Sequence, residues 1–186
     1  MSFYRCVATP IREALPNGYQ RIKYLRANKK QYLTLHINPV SGDDVFVAAS
    51  SNGTYVYNTI VGTNGQTSFE VYFDSSNDVI VWNSRPNLII LNSVSGESGL
   101  GKIIKINFKV MNTFVDKYQL GAYRNSYLLT GDIYDFEVSA RCKMIPALDT
   151  NGKPCMYDTI AKQPIYNAGD GEFGYELMDG TYVAPI

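Results

Sequence analysis

The stretch Ile103-Ile104-Lys105-Ile106-Asn107-Phe108-Lys109-Val110 alternates from Ile104 onward. Ile104, Ile106, Phe108 and Val110 fall on one face, and Lys105, Asn107 and Lys109 on the other. A period of two belongs to a strand that buries one side. Working outward, similar short runs recur at residues 21–25, 31–37, 45–49, 54–61, 69–73, 79–82, 88–91 and 133–138. Between them stand Asn17-Gly18, Asn52-Gly53, Asn64-Gly65, Asn151-Gly152, Asp170-Gly171 and Asp179-Gly180, dipeptides that reach positive φ cheaply and suit tight turns. The runs at 45–49 and 54–61 flank Asn52-Gly53 and predict a hairpin. No eleven-residue window carries a 3.6-residue period. Many short strands with almost no helix predict an all-β, antiparallel two-sheet sandwich of jelly-roll type.

Composition agrees. The chain has 186 residues, 45% hydrophobic and 18% charged, with 15 tyrosines, and strand-favouring residue types outnumber helix-favouring ones. That is one domain's worth of chain with enough apolar content for a core. Lys+Arg and Asp+Glu are both 17. A net charge of zero argues against a nucleic-acid or anionic-membrane binder, which would rest on a basic excess. The longest apolar runs, 79–82 and 88–91, are far too short to span a bilayer as helices. Residues 1–16 show no secretory signal, and Cys6, Cys142 and Cys155 cannot all pair, so free thiols in a reducing compartment are expected. The sequon Asn52-Gly53-Thr54 is read as part of the turn.

The segment 1–16 lacks clean alternation yet carries Phe3, Tyr4, Val7, Ile11 and Leu15 with Pro10 and Pro16. It reads as an N-terminal arm ahead of a single domain at 17–186, able to dock on its own domain or on another chain.

Chemistry-bearing patterns are sparse. His36 is the one histidine, placed in an alternating run without a nucleophile partner. Asp132-Ile133-Tyr134-Asp135-Phe136-Glu137 approaches the paired-carboxylate strand of sandwich glucanases. Strict alternation, however, sets Ile133 beside Asp135 and Glu137 and turns Asp132 to the other face, so no catalytic residue is expected. Asp43-Asp44 and Asp74/Asp78 read as solvated turns, with no metal or cofactor expected. Arg21, Lys23, Arg26, Lys29 and Lys30 read as the solvated face of an edge strand. Among aromatics, Tyr55 and Tyr57 on one strand face and Tyr72 on the next are candidate contacts for a glycan or a partner. Trp82, in a run apolar on both faces, is expected in the core.

Two motifs add a family resemblance. One is Leu15-Pro16-Asn17-Gly18-Tyr19, continuing through Tyr24-Leu25 to Gln31-Tyr32-Leu33. The other runs from Met144-Ile145-Pro146-Ala147-Leu148-Asp149-Thr150-Asn151-Gly152 through Cys155-Met156-Tyr157-Asp158-Thr159 to Gly169-Asp170-Gly171-Glu172-Phe173. Together they resemble the concanavalin A-like (laminin G-like) jelly-roll domains in structural proteins of tailed bacteriophages and prophages of gut bacteria, over roughly residues 15–175. One departure is Ser139-Ala140-Arg141, where the family usually has a turn like Asn-Gly. The resemblance implies a non-enzymatic virion protein, such as a head or tail decoration, fibre or adhesin. It would be assembled in the host cytoplasm and attached through its arm to other virion proteins, in many copies or as a homo-oligomer, with a host surface glycan as a further partner. A carbohydrate-binding module of a bacterial surface protein is the alternative. This fold hosts many functions, so the function must come from a site.

Overall fold

The computed structural model describes residues 15–53, 57–65, 69–83 and 88–186. Fifteen strands occur among them: β1 (Gln20–Asn28), β2 (Leu33–Thr34), β3 (Asp44–Ser51), β4 (Asn58–Thr63), β5 (Phe69–Phe73), β6 (Val79–Asn83), β7 (Ile89–Gly96), β8 (Ile103–Val110), β9 (Tyr118–Leu120), β10 (Thr130–Val138), β11 (Cys142–Leu148), β12 (Pro154–Asp158), β13 (Gln163–Ile165), β14 (Gly174–Leu177) and β15 (Tyr182–Val183). No helix occurs among the described residues. The fold class is the one expected, a sandwich of two antiparallel sheets. The larger sheet has ten strands in the order β13-β12-β11-β1-β10-β3-β8-β7, with β14 beside β1 and β15 beside β14. The smaller runs β2-β9-β4-β5-β6.

The apolar faces meet in one core, where aromatic rings from opposite sheets interlock. Phe69 of β5 meets Phe108 of β8 edge to face with centroids 5.7 Å apart, and Tyr118 of β9 meets Phe136 of β10 at 5.8 Å. Such pairs add about 0.5–1.5 kcal/mol each beyond burial of their area. Ile104, Ile106, Phe108 and Val110 all enter this core, as their alternation predicts.

Several local expectations are corrected. Asn52-Gly53 closes no hairpin: β3 lies in the larger sheet and β4 in the smaller, so the chain crosses the sandwich there. Long-range hydrogen bonds hold that crossing. Asn52 N–H donates to Thr130 O at 2.9 Å, and the buried Asn58 amide bonds both Ser51 Oγ and the backbone of Thr130. The run 31–37 is a strand only at Leu33–Thr34. Gln31 turns its amide to Asn28 N and Ile186 O, and Tyr32 N donates to Asn167, so backbone pairing gives way to side-chain bonds. β1 is no edge strand; it pairs with β10, β11 and β14.

In β10 the pairing with β3 slips at Tyr134: Ile133 opposes Ala49, and Asp135 opposes Ala48. This bulge leaves Ile133, Phe136 and Val138 in the core and moves Asp132 to the same outer face as Asp135 and Glu137, contrary to strict alternation. Of the arm residues, Phe3, Tyr4, Val7 and Ile11 lie outside the described residues. Leu15 packs with Tyr19 and Tyr166 on the buried Ile145, Ala147, Cys155 and Tyr157.

Candidate ligand cleft

The outer face of the smaller sheet carries a cleft of about 230 Å3, lined by Tyr57, Glu70, Trp82, Tyr123, Arg124 and Tyr127. Its floor comes from strand alternation. In β5, Phe69, Val71 and Phe73 point into the core, which leaves Glu70 and Tyr72 on the opposite face. Register then sets Glu70 against Trp82 and Tyr72 against Ile80.

The far wall is the loop between β9 and β10, which folds back over the sheet. Tyr123 and Tyr127 exchange backbone hydrogen bonds at 3.3 and 3.1 Å, and Arg124 N donates to Thr63 O at 3.3 Å. The buried Gln119 amide bonds both the backbone and side chain of Asn125. Gly62 allows this approach, because a Cβ there would stand 2.7 Å from Ala122 O and 3.0 Å from Tyr123 Cβ. Two lining residues, Tyr57 and Arg124, sit at φ 61° and 54°. Left-handed backbone in side chains of this size is strain that the surrounding contacts must hold in place, and such strain concentrates at functional sites.

Five rings form a continuous row round the cleft. Tyr72 touches Tyr57 at 5.1 Å, Tyr57 touches Tyr127 at 5.6 Å, Tyr127 touches Tyr123 at 5.8 Å and Tyr123 touches Trp82 at 5.8 Å. Trp82 remains 41% exposed and Tyr57 43%, large areas for aromatic rings. Glu70, by contrast, is 2% exposed and bonded to the Thr59 hydroxyl. Burial pushes its carboxyl above the usual range, and the Thr59 bond opposes that only in part. The Arg124 guanidinium lies over the Tyr123 ring at 5.0 Å, and its Nε donates to Gly65 O.

Of the aromatics singled out in the sequence, Tyr57 lines this cleft, Tyr72 buttresses it, and Tyr55 lies outside the described residues. Trp82 is a wall of the cleft and not a core residue, a correction. Glu70, Tyr123, Arg124 and Tyr127 went unrecognised. An acid alternating with Phe69, Val71 and Phe73 was the one available signal for Glu70; nothing local marks the loop.

The remaining candidates are occupied by protein partners. Asp132 accepts two bonds from Arg26, at 2.5 and 2.7 Å, and one from Ser50. Lys23 pairs with Glu176 at 2.6 Å, so two members of the basic segment hold outer-face acids rather than lying free in solvent. Asp43 is buried against Arg141 Nη1 at 2.6 Å, which puts a guanidinium where a bound cation would have to sit. Asp74 Oδ1 caps the backbone of Ser76 and Asp78. His36 is outside any strand, its Nε2 3.3 Å from Asp158 Oδ2. A second hollow of about 310 Å3 on the larger sheet includes Asp44 and Glu137, each engaged by a lysine.

Comparison with protein-family models, with curated proteins and with solved structures finds no match to this chain.

Proposed function

We propose that the protein is a non-enzymatic recognition module of a tailed-phage virion that binds a surface glycan in the aromatic cleft. The observation that carries the binding half is the row of rings Tyr57, Tyr127, Tyr123 and Trp82, of which Tyr57, Tyr127 and Trp82 are exposed and Tyr123 is buried, closing round Glu70, the one carboxylate among the described lining residues. Sugar rings have apolar C–H faces that stack on aromatic side chains, and a buried carboxylate orients hydroxyls by accepting their hydrogen bonds. Glu70 is the single carboxylate among the described lining residues, whereas glycoside hydrolysis needs a pair, so binding without turnover is the better supported chemistry. The virion half rests on the two motifs at residues 15–33 and 144–173. In this reading the arm, residues 1–16, attaches the module to other virion chains or to neighbouring copies, with Leu15 seated on the module itself. The same cleft would serve a carbohydrate-binding module of a bacterial surface protein equally well.

Two measurements test the two halves. A panel of bacterial and host glycans presented to the full chain should give saturable binding that Trp82→Ala abolishes; binding unchanged in that variant would place recognition elsewhere. Quantitative mass spectrometry of purified particles should find the chain at a fixed copy number, and its absence would refute the virion assignment.

A further inference from the structure

We infer that the cleft receives a cationic ammonium group, a protonated amine or a quaternary alkylammonium, carried on the glycan proposed above; this rests on that reading. Three observations point the same way. The Glu70 carboxylate is almost wholly removed from water, and its hydrogen-bond partner among the described residues is an uncharged hydroxyl, that of Thr59. Among the described residues no ion pair joins Glu70 to a cation, since Arg124 in the same cleft is turned to the Tyr123 ring and to Gly65 O; burial of such a carboxylate is costly, and a positive ligand group would offset that cost. A neutral sugar would not.

The walls suit the same guest. Tyr57, Tyr127 and Trp82 present exposed ring surfaces round one small space, with the buried Tyr123 linking Tyr127 to Trp82, the arrangement in which ring quadrupoles attract an alkylammonium ion. One of these rings already holds a cation, since Arg124 lies over Tyr123 at 5.0 Å. At about 230 Å3 the cleft has room for a compact head group and little more. Glu70 and Trp82 are paired across β5 and β6, so charge attraction and ring attraction converge on one point.

Trp82 is the one tryptophan in the chain, so its fluorescence reports directly on the cleft. The full chain is titrated at pH 7 and matched ionic strength with choline, glucosamine, glucose and 3,3-dimethyl-1-butanol, the last an uncharged isostere of choline. Choline or glucosamine should shift the emission saturably and bind at least about tenfold tighter than its uncharged counterpart. Glu70→Gln, which keeps size and hydrogen-bonding capacity, should lose at least about tenfold in that affinity while its thermal melt reports an intact fold. Equal affinity for charged and uncharged partners, or an unaffected Glu70→Gln, would overturn the inference. If glycans without an amine bind and Trp82→Ala abolishes that binding, the glycan reading stands and this inference falls. If neither glycans nor ammonium compounds bind, both fall.

Discussion

Trp82 of β6 and Glu70 of β5 stand at directly opposed positions in the smaller sheet, so an exposed indole and a buried carboxylate rise side by side from one face. Neither placement favours stability. The indole leaves apolar area in water, and the carboxylate is desolvated with a hydroxyl as its partner. Two such departures at adjacent positions are expected where function overrides stability.

The stability cost of Glu70 gives a pH-dependent prediction. Its carboxyl is held above the ordinary value in the folded chain, so the folded state takes up its proton more readily than the unfolded state. The group therefore favours folding below its unfolded pKa, and that advantage disappears as pH rises through the folded value. At pH 7 the burial of this acid opposes folding. Glu70→Gln should melt higher than the parent at pH 7, by about 2–4 °C for each kcal/mol recovered, with the gap narrowing at pH 4. A lower melting temperature at pH 7 in differential scanning calorimetry would contradict this.

Gly62 is a spacer between sheet and loop. Adding a methyl group meets backbone atoms of Ala122 and Tyr123 that cannot swing aside. Gly62→Ala should cost about 1–3 kcal/mol and displace the loop that carries Tyr123 and Tyr127. Urea unfolding measures the first effect, and a changed Trp82 emission in the folded state measures the second. Full retention of both would mean that the loop is not seated on Gly62.

On the larger sheet, Arg26 clamps Asp132 through two hydrogen bonds, and the Asp132 side chain is only 3% exposed. Arg26→Ala should cost about 3–5 kcal/mol, because it strands a buried charge. Adding Asp132→Asn should recover part of that loss, since the amide needs no counter-charge. A single variant within about 0.5 kcal/mol of the parent would show the pair to be solvent-screened.

Burial holds both described cysteines as thiols. Cys155 is pushed up to about 12, and Cys142 higher still, by burial and then by the neighbouring Asp158. Iodoacetamide at pH 8 should leave Cys142 and Cys155 unmodified in the native protein and alkylate both in guanidinium, as peptide mapping would read directly. Native-state alkylation of either would place that thiol within reach of solvent.

Much of the strand inventory was legible because alternation is a local property. Ile103–Val110 and Phe69–Phe73 begin and end where their own side chains change character. Turn chemistry was legible where the dipeptide joins paired strands, as Asn151-Gly152 joins β11 to β12 and Asp179-Gly180 joins β14 to β15.

What the tertiary structure alone decided depends on partners remote in sequence. Asn52-Gly53 carries the dipeptide of a hairpin, yet Thr130 captures Asn52 and Asn58 and draws the chain across to the other sheet. The bulge at Tyr134 lets Ile133 and Phe136 both reach the core, which no count by twos reveals. Trp82 lies in a run apolar on both faces, and its pattern asks for burial on both. Whether the outer face is covered depends on the loop through residues 121–129, and that loop passes over Gly62 and leaves a gap instead of a lid. Glu70 is half of a site whose other half is more than fifty residues further along the chain. Alternation fixes which way each side chain points from its own strand; only the packed sheets decide what meets it there.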